Sequence, residues 1–217
     1  MNNKPNIQHS TADDFSARIL SAARKRFQRF GYAKTSMQEI AAACQMSAAN
    51  LYRFYNGKLA IASAVVTADQ QALLASCDEA VRSARAGVAD RLIALFLANI
   101  DGSRRRLRQA PLLFDLGLKV ARENAAIRQQ FLEEVEIRIT AILLSGRAGD
   151  AAEFSEANAQ SRLVLMASAP FVLPWMMMNE PFGDPRAQVG PLVRAIVGGL
   201  LARPPAPAAA LHRDSAR

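Results

Sequence analysis

The segment between residues 19 and 61 constrains the fold more than any other part of the chain. It contains one long stretch and two short stretches in which apolar residues recur at helical spacing. Thr35 and Ser36 open the first short stretch and Ser47 opens the second, and such residues commonly cap helix N-termini. The second short stretch spans only about eight residues and carries polar side chains on one side, so it is unsuited to a core. The pattern predicts three consecutive helices, the third of which presents a polar face to solvent.

Local signals set the boundaries of these three helices. The first helix is predicted over residues 13–30, and a glycine follows it. Overlapping capping boxes at Thr35 and Ser36 begin the second helix. The third helix is predicted over residues 47–55, where an asparagine-glycine turn ends it. Helices of these lengths in this order predict a helix-turn-helix domain over residues 13–58.

The rest of the chain is also predicted to be helical, because no stretch alternates apolar and polar residues as a half-buried strand would. Further helices are expected at about 58–86, 88–101, 110–122, 124–146, 154–178 and 186–201. The polar start, residues 1–12, and the proline- and alanine-rich end, residues 203–217, are expected to be disordered tails. The prediction is an all-α protein in which a helical bundle over residues 59–202 follows the three-helix domain.

Positive charge is concentrated in the predicted helix-turn-helix domain. Residues 1–60 contain nine lysines and arginines against three acidic residues, whereas the remaining residues contain 18 against 16. A basic excess at one end is expected if that end meets the phosphate backbone of a nucleic acid. Many solvated protein faces are also basic, so the charge supports this interpretation without carrying it alone.

One face of the third helix offers chemistry suited to DNA bases. Since each residue advances the helix by about 100°, Leu51 and Tyr55 point toward the core. The residues on the opposite face are Ala49, Asn50, Tyr52 and Arg53. Asparagine can hydrogen-bond an adenine edge, arginine can hydrogen-bond guanine, and alanine permits close approach. A tyrosine hydroxyl can reach a phosphate. This helix is therefore predicted to read the DNA major groove.

Residues at the edges of this face are candidates for phosphate contacts. Thr35 and Ser36 stand at a helix N-terminus, where free backbone N–H groups can bind a phosphate. Lys58 could reach a phosphate from the other side. Ser47 and Ala48, at the start of the third helix, complete the predicted DNA-contacting set. The alternative interpretation is a helical module that binds another protein through its polar face.

The same segment resembles the DNA-binding domain of the tetracycline-repressor (TetR/AcrR) family. The residues that carry the resemblance are Ala22, Ala23, Phe27, Gly31, Tyr32, Thr35, Ser36, Ile40, Ala41, Ser47, Leu51, Tyr52 and Lys58. Two positions depart from the family pattern: Tyr55 stands where phenylalanine is usual, and Leu59 stands where an acidic residue often follows the lysine. The resemblance implies an all-helical homodimer whose last two long helices pack as a four-helix bundle. It also implies a small-molecule cavity whose occupancy changes the separation of the two DNA-binding domains.

Candidate ligand-binding residues follow from this resemblance, because the helix at 110–122 often borders the cavity in the family. The candidates are Leu112, Phe114, Leu118, Phe131, Val135, Phe171 and Trp175. The bulky residues around Trp175 suit a core or a dimer interface better than a pocket wall, and the pocket wall is the alternative. The basic run at 104–106 favours a helix C-terminus. Contact of that run with an acidic effector or with DNA is the alternative.

Several chemistries are disfavoured by the residue types present. The two histidines, His9 and His212, lie in the predicted tails, so no structured histidine is expected to act as a general base or metal ligand. The two cysteines, Cys44 and Cys77, occupy apolar helix positions and are interpreted as core residues, with a redox role as the alternative. No nucleotide-binding glycine motif is present. No enzyme activity, cofactor or metal is therefore expected.

The sequence also predicts a cytoplasmic protein without a membrane partner. The first twelve residues are polar, unlike a secretory signal. The longest uncharged run, residues 163–179, contains two prolines and is shorter than the roughly 20 residues that a membrane-spanning helix needs.

Together these features predict a ligand-responsive transcriptional regulator. The expected activity is repression by a homodimer that binds a palindromic double-stranded DNA operator. The expected effector is a largely apolar small molecule that releases the protein from DNA. The alternatives are a helical small-molecule carrier or interaction protein without DNA binding and, less favoured, an enzyme with a helical apolar site.

Overall fold

The computed structural model describes residues 7–145, 151–177 and 183–201 of the 217-residue chain. Within these residues the backbone forms helices and contains no strand. The helices are α1 (Ile7–Phe30), α2 (Met37–Ala43), α3 (Ala48–Phe54), α4 (Lys58–Ser83), α5 (Val88–Gln109), α6 (Pro111–Glu123), α7 (Ala125–Leu144), α8 (Ala151–Val172), α9 (Pro174–Met177) and α10 (Pro185–Leu201). The all-α prediction is confirmed.

Some helix boundaries differ from the expected ones. α1 begins at Ile7, so part of the expected N-terminal tail is helical, while the expected C-terminal tail lies outside the described residues. α5 continues to Gln109, because the basic run contains good helix formers and the next breaker is Pro111. The helix expected over 154–178 is divided into α8 and α9. α9 begins at Pro174. The helix is interrupted there because proline has no backbone N–H to continue the helical hydrogen bonds.

The first core joins α1–α4 with α6. Its largest fully buried side chains are Ile19, Phe27, Ile40, Leu51, Ile61, Leu116 and Val120. Leu113 of α6 packs into the same cluster. The core beneath the helix-turn-helix therefore extends beyond residue 58, where the sequence placed the domain boundary, and includes one whole face of α6.

The second core lies among α4, α5, α7, α8 and α10. Its largest fully buried side chains are Leu92, Phe96, Ile100, Ile139 and Val164. The valines of α10 recur every fourth residue, and Val189, Val193 and Val197 all pack into this core. α4 packs closely on α5, and α8 packs on both α7 and α10. These contacts make the C-terminal part a helical bundle.

α4 runs from one core into the other. Ile61 and Val65, near its start, belong to the first core, whereas Leu73 and Cys77 belong to the second. Within the described residues it is the one helix whose length and apolar composition would let it cross a membrane. A single helix of this kind is weak evidence for a membrane span, because buried helices of soluble proteins have the same length and composition. Cys77 and Cys44 are both buried with free thiols, which confirms their interpretation as core residues.

α4 and α5 approach each other closely at Gly102. A Cβ atom at this position would overlap Cδ1 of Leu73. The absence of a side chain at Gly102 therefore lets Leu73 fill the space between the two helices.

Candidate nucleic-acid interface and ligand cavity

A complete capping box fixes the start of α2. The backbone N–H of Glu39 donates to Ser36 Oγ over 3.2 Å, and the Glu39 carboxylate accepts from the Ser36 backbone N–H over 2.8 Å. Hydrogen bonds from the Ser36 backbone, and then from its side chain, hold the pKa of Glu39 below its usual range. Arg26 of α1 also pairs with the Glu39 carboxylate over 2.6 Å. The N-terminus of α2 is therefore held against α1.

Thr35 does not share this role. Its side chain is buried, and its hydroxyl donates to the backbone carbonyl of Gly31 over 2.8 Å. Gly31 has a φ of 79°, a left-handed conformation that favours glycine and ends α1. The turn that follows brings the Thr35 hydroxyl to the Gly31 carbonyl. Of the two overlapping capping boxes only that of Ser36 forms. The Thr35 backbone N–H, one of the groups predicted to bind a phosphate, donates to the Tyr32 carbonyl over 3.3 Å.

A short turn connects α2 to α3. Gln45 has a φ of 58°, a left-handed conformation that residues other than glycine and asparagine seldom adopt. Ser47 then caps α3, and its Oγ accepts a hydrogen bond from the Asn50 backbone N–H over 3.1 Å. The sequence predicted the Ser47 cap, and the structure confirms it. Gln45 carried no such signal, since glutamine has no special preference for this conformation.

α3 turns its polar face to solvent. Leu51 is fully buried beneath the helix, so the opposite face points outward. The exposed residues are Ser47, Ala49, Tyr52 and Arg53, and the half-buried ones are Ala48 and Asn50. The orientation predicted from helical spacing is therefore confirmed, with Asn50 at the edge of the exposed face and not at its centre.

The C-terminal end of α3 is anchored to α1. The Tyr55 and Ser16 hydroxyl oxygens are 3.0 Å apart and share a hydrogen bond. The rings of Phe54 and Phe15 lie 6.1 Å apart, a separation typical of aromatic contacts. Both interactions hold α3 in one orientation relative to α1. A helix that enters a DNA groove requires such a fixed orientation.

Lys58 connects the start of α4 to the end of α1. Its Nζ donates to the backbone carbonyl of Tyr32 over 2.8 Å and lies 4.2 Å from the centre of the Tyr32 ring. Lys119 of α6 lies 5.1 Å from the same ring. Because an ammonium group has three N–H donors, Lys58 retains donors for a further acceptor.

A basic groove of about 480 Å³ runs along α1 beside the turn between α2 and α3. Its lining includes Arg18, Lys25, Arg26 and Arg29 of α1 and Cys44 and Gln45 of the turn. Arg18 donates from Nη2 to the Cys44 carbonyl over 3.3 Å. Helical spacing in the sequence places Arg18, Lys25 and Arg29 on one face of α1. Only the structure shows that this face borders the turn.

A small cavity lies among α4, α5, α6 and α7, with Pro174 of α9 at its edge. Three of the residues predicted to bind a ligand, Phe114, Leu118 and Phe131, line this cavity. Phe114 and Leu118 lie on α6 and Phe131 lies on α7, so α6 borders this cavity. That these residues bind a ligand stays a prediction.

The other predicted ligand residues are not part of this lining. Leu112 is two residues from Phe114 and therefore points to the opposite side of α6, where it is partly exposed and lies beside Gly31. Val135 is buried in the second core. The side chains of Phe171 and Trp175 lie outside the described part of the structure.

The polar edge of the cavity was not predicted. Gln70 of α4 and Ser103 and Arg106 of α5 line it. Ser103 and Arg106 are three residues apart, so the sequence could have placed them on one helix face. It could not show that this face points inward, because basic residues near a helix C-terminus are usually solvated.

Two family profiles match successive parts of this chain. Residues 19–65 match the profile described as "Bacterial regulatory proteins, tetR family". Residues 88–190 match the profile described as "Tetracyclin repressor-like, C-terminal domain". Together the two matches span more than half of the sequence, in the order of the helix-turn-helix and the bundle. The chain belongs to the tetracycline-repressor (TetR) family.

Solved structures of TetR-family regulators share this fold. The TetR-family repressor FadR of Thermus thermophilus, solved in complex with lauroyl-CoA, is 20% identical with a TM-score of 0.59, and the match covers 89% of this chain and 100% of that one. A regulator from Rhodococcus sp. RHA1 is 16% identical with a TM-score of 0.58, covering 88% and 98%. The fatty acid degradation regulator FadR of Bacillus halodurans is 16% identical with a TM-score of 0.54, covering 93% and 100%. Identities this low show the fold alone. No protein with a curated description matches the sequence.

Membership of the TetR family makes the chain a DNA-binding transcription regulator that responds to a ligand. In this TetR-family protein, α6 is common to both parts of the structure. Leu113 and Leu116 pack into the core beneath the helix-turn-helix, and Leu113 also lines the cavity together with Phe114 and Leu118. α6 therefore joins the cavity to the core beneath the helix-turn-helix.

Proposed function

We propose that this protein is a homodimeric repressor that binds a palindromic operator through α3 and leaves it when a small molecule fills the cavity among α4–α7. The exposed face of α3 carries this proposal. It presents base-reading side chains on a helix whose opposite face, at Leu51, is fully buried. A partner protein would also accept a polar helix face, but the basic groove along α1, beside the turn that leads into α3, favours a polyanion.

Asn50 and Arg53 are the proposed sequence readers. Both can donate hydrogen bonds to base edges, and Arg53 lies on the exposed face one turn after Ala49, whose small side chain permits close approach. Tyr52, exposed beside them, is suited to a phosphate. Asn50 is half-buried, so its contribution depends on how deeply α3 enters the groove.

Phosphate contacts are proposed on both sides of α3. Ser36 and Ser47 stand at the N-termini of α2 and α3, where backbone N–H groups favour anions. Lys58 already donates to the Tyr32 carbonyl, and it would use its remaining donors. Such contacts position the protein without reading sequence.

The proposed dimer interface is the outer surface of α8 and α10, which pack against each other. Leu163 and Met166 of α8 lie nearly one turn apart and are 56% and 73% exposed, although they are large and apolar. Small residues on the exposed side of α10, among them Ala195 and Gly198, allow close approach of a second helix. A second copy of the chain would bury both surfaces about a twofold axis.

The dimer proposal is tested by light scattering at micromolar concentration. The wild type is expected to be a dimer, and Leu163→Glu with Met166→Glu is expected to shift it to a monomer. Ile137→Glu is the matched control, because Ile137 is equally exposed at 63% but lies on α7, outside the proposed interface. A wild type that stays monomeric would refute the interface, as would a double variant that remains a dimer.

The DNA proposal is tested by fluorescence anisotropy with the DNA upstream of the protein's own gene and with scrambled DNA, at one fixed salt concentration. Asn50→Ala and Arg53→Ala are each expected to cost about 1–3 kcal/mol on the specific site and little on scrambled DNA. Arg82→Ala is the control, since Arg82 is exposed at the far end of α4.

Equal losses on both DNAs would make Arg53 a phosphate contact. Unchanged affinity in both variants, with intact circular dichroism, would exclude α3 as the reader. A wild type that binds neither DNA would favour a carrier or an interaction protein.

A further inference from the structure

The cavity among α4–α7 combines an apolar wall with a polar edge. Leu73, Phe114 and Phe131 form part of the wall, and Ser103 and Arg106 of α5 form part of the edge. Its volume is only about 40 Å³, whereas small-molecule sites usually measure about 300–1,000 Å³. A ligand must therefore enlarge the cavity by moving a surrounding helix.

Arg106 is a largely buried cation that shares the charge of the Asp69 carboxylate with Arg24. Its Nη2 donates to the backbone carbonyl of Asp69 over 2.8 Å, and the described residues offer it no other hydrogen-bond acceptor. The Asp69 carboxylate pairs with Arg24 of α1 over 3.1 Å instead. Burial lowers the pKa of Arg106 below its usual range. Most of the five N–H donors of this guanidinium are therefore free to bind an anion.

Two further polar groups on α5, the Ser103 hydroxyl and the Asn99 side-chain oxygen, lack hydrogen-bond partners in the described part of the chain. Ser103 is 3% exposed, and its hydroxyl has no hydrogen-bond partner among the described residues. The side-chain oxygen of Asn99, one turn earlier, is buried and also has no partner within this part of the chain. Spacings of four and three residues place Asn99, Ser103 and Arg106 on one helix face. Buried polar groups are normally satisfied, and of these two only Ser103 lines the cavity, so its unpaired hydroxyl beside the Arg106 cation indicates a ligand.

The rest of the lining selects the charge and the size of that ligand. The described lining residues include no aspartate or glutamate, so nothing there neutralises Arg106. A single guanidinium matches the planar, bidentate geometry of a carboxylate. A phosphate dianion would need a second cation, and Arg106 is the one cation among the described residues of this lining. The opposite wall is apolar, which suits a hydrocarbon or aromatic body.

We propose that this cavity binds an apolar monocarboxylate, with its carboxylate on Arg106 and Ser103 and its body against Leu73, Phe114 and Phe131. This inference rests on the proposed function of the cavity as the effector site and adds the chemical class of the effector. The carboxylate accepts hydrogen bonds from the Arg106 guanidinium and the Ser103 hydroxyl. The body occupies the space that opens when α6 moves away from α5 and α7.

The same contacts link the ligand to the DNA-binding domain by two routes. Arg106 donates to the Asp69 backbone, and the Asp69 side chain pairs with Arg24 of α1. α6, which must yield to the ligand body, carries Leu113 and Leu116 into the core beneath the helix-turn-helix. Binding of a carboxylate would therefore shift both α1 and α6 relative to α4.

The experiment is isothermal titration of the full-length, DNA-free protein with hexanoate, octanoate and benzoate. Hexanol, octanol, benzyl alcohol and octylamine are the matched ligands without a carboxylate, and octyl phosphate tests a dianion. At least one carboxylate is expected to bind at least tenfold more tightly than its alcohol. Arg106→Gln is expected to abolish that preference, and Ser103→Ala is expected to weaken carboxylate binding several-fold. Arg105→Gln is the control, since Arg105 is the exposed neighbour of Arg106 and should leave binding unchanged.

The outcomes separate this inference from the proposed function. Carboxylates that bind no more tightly than their alcohols would overturn it, and so would octyl phosphate binding more tightly than octanoate. Equal effects of the Arg105 and Arg106 variants would also overturn it, because the role of Arg106 would then be long-range charge. DNA binding is measured separately on the same preparation. Its absence would refute the regulator while leaving carboxylate binding to stand.

Discussion

Replacing Gly102 by alanine should destabilise the protein, although alanine is the better helix former. Inside a helix, glycine to alanine favours folding by about 1 kcal/mol. At Gly102, however, the new methyl group overlaps Cδ1 of the buried Leu73, so the Leu73 side chain has to shift within the core. Overpacking of a core typically costs about 1–3 kcal/mol. The two effects leave a net loss of about 0–2 kcal/mol.

Gly117 provides the matched control. It also lies within a helix, α6, but a Cβ there would have nothing within 4 Å. Gly117→Ala should therefore stabilise the protein by about 1 kcal/mol. The helix preference of alanine cancels when the change in the free energy of unfolding of one variant is subtracted from that of the other. The difference that remains is the cost of the overlap with Leu73, about 1–3 kcal/mol.

The assay is equilibrium unfolding in urea, followed by circular dichroism at one protein concentration, because dimer stability depends on concentration. In a Leu73→Ala background the overlap disappears, so Gly102→Ala should become stabilising there. If the two glycine variants changed stability equally, within about 0.5 kcal/mol, the close approach of α4 and α5 at Gly102 would be refuted.

Three further predictions concern caps, charge and titration. Ser36→Ala removes the side-chain cap of α2 and should cost about 1 kcal/mol in the same urea assay; no loss would show that the capping box is not formed in solution. Lys58→Ala should weaken binding to all DNA sequences alike and lower the magnitude of the salt slope by about one. A loss confined to the specific site would instead make Lys58 a base reader. Burial raises the pKa of the Cys77 thiol to about 11. As pH rises, the thiol of the unfolded chain ionises before that of the folded chain. The contribution of Cys77 to the free energy of unfolding is therefore intact below the unfolded pKa of about 8.5 and is lost as pH rises toward 11. Cys77→Ala should therefore flatten the alkaline fall in stability, and identical pH profiles for variant and wild type would contradict the burial argument.

The part of this protein that its sequence determined is the part governed by local interactions. Helix spacing and capping residues act within a few positions of each other, so the order of the helices and the outward face of α3 followed from them. The cap at Ser47 and the burial of Leu51 are confirmed on this basis.

Tertiary structure decided the features that depend on what lies opposite a residue. Thr35 and Ser36 begin equivalent capping boxes in the sequence, and the left-handed turn at Gly31 directs one hydroxyl inward and leaves the other to cap α2. From its sequence position Arg106 is one more cation at a solvated helix end. In the structure α4 and α6 enclose it beside Ser103, whose hydroxyl has no hydrogen-bond partner among the described residues. Sequence spacing defines a helix face, but only packing against distant segments defines whether that face meets solvent, another helix or a cavity, because burial and its electrostatic cost arise from contacts between those segments.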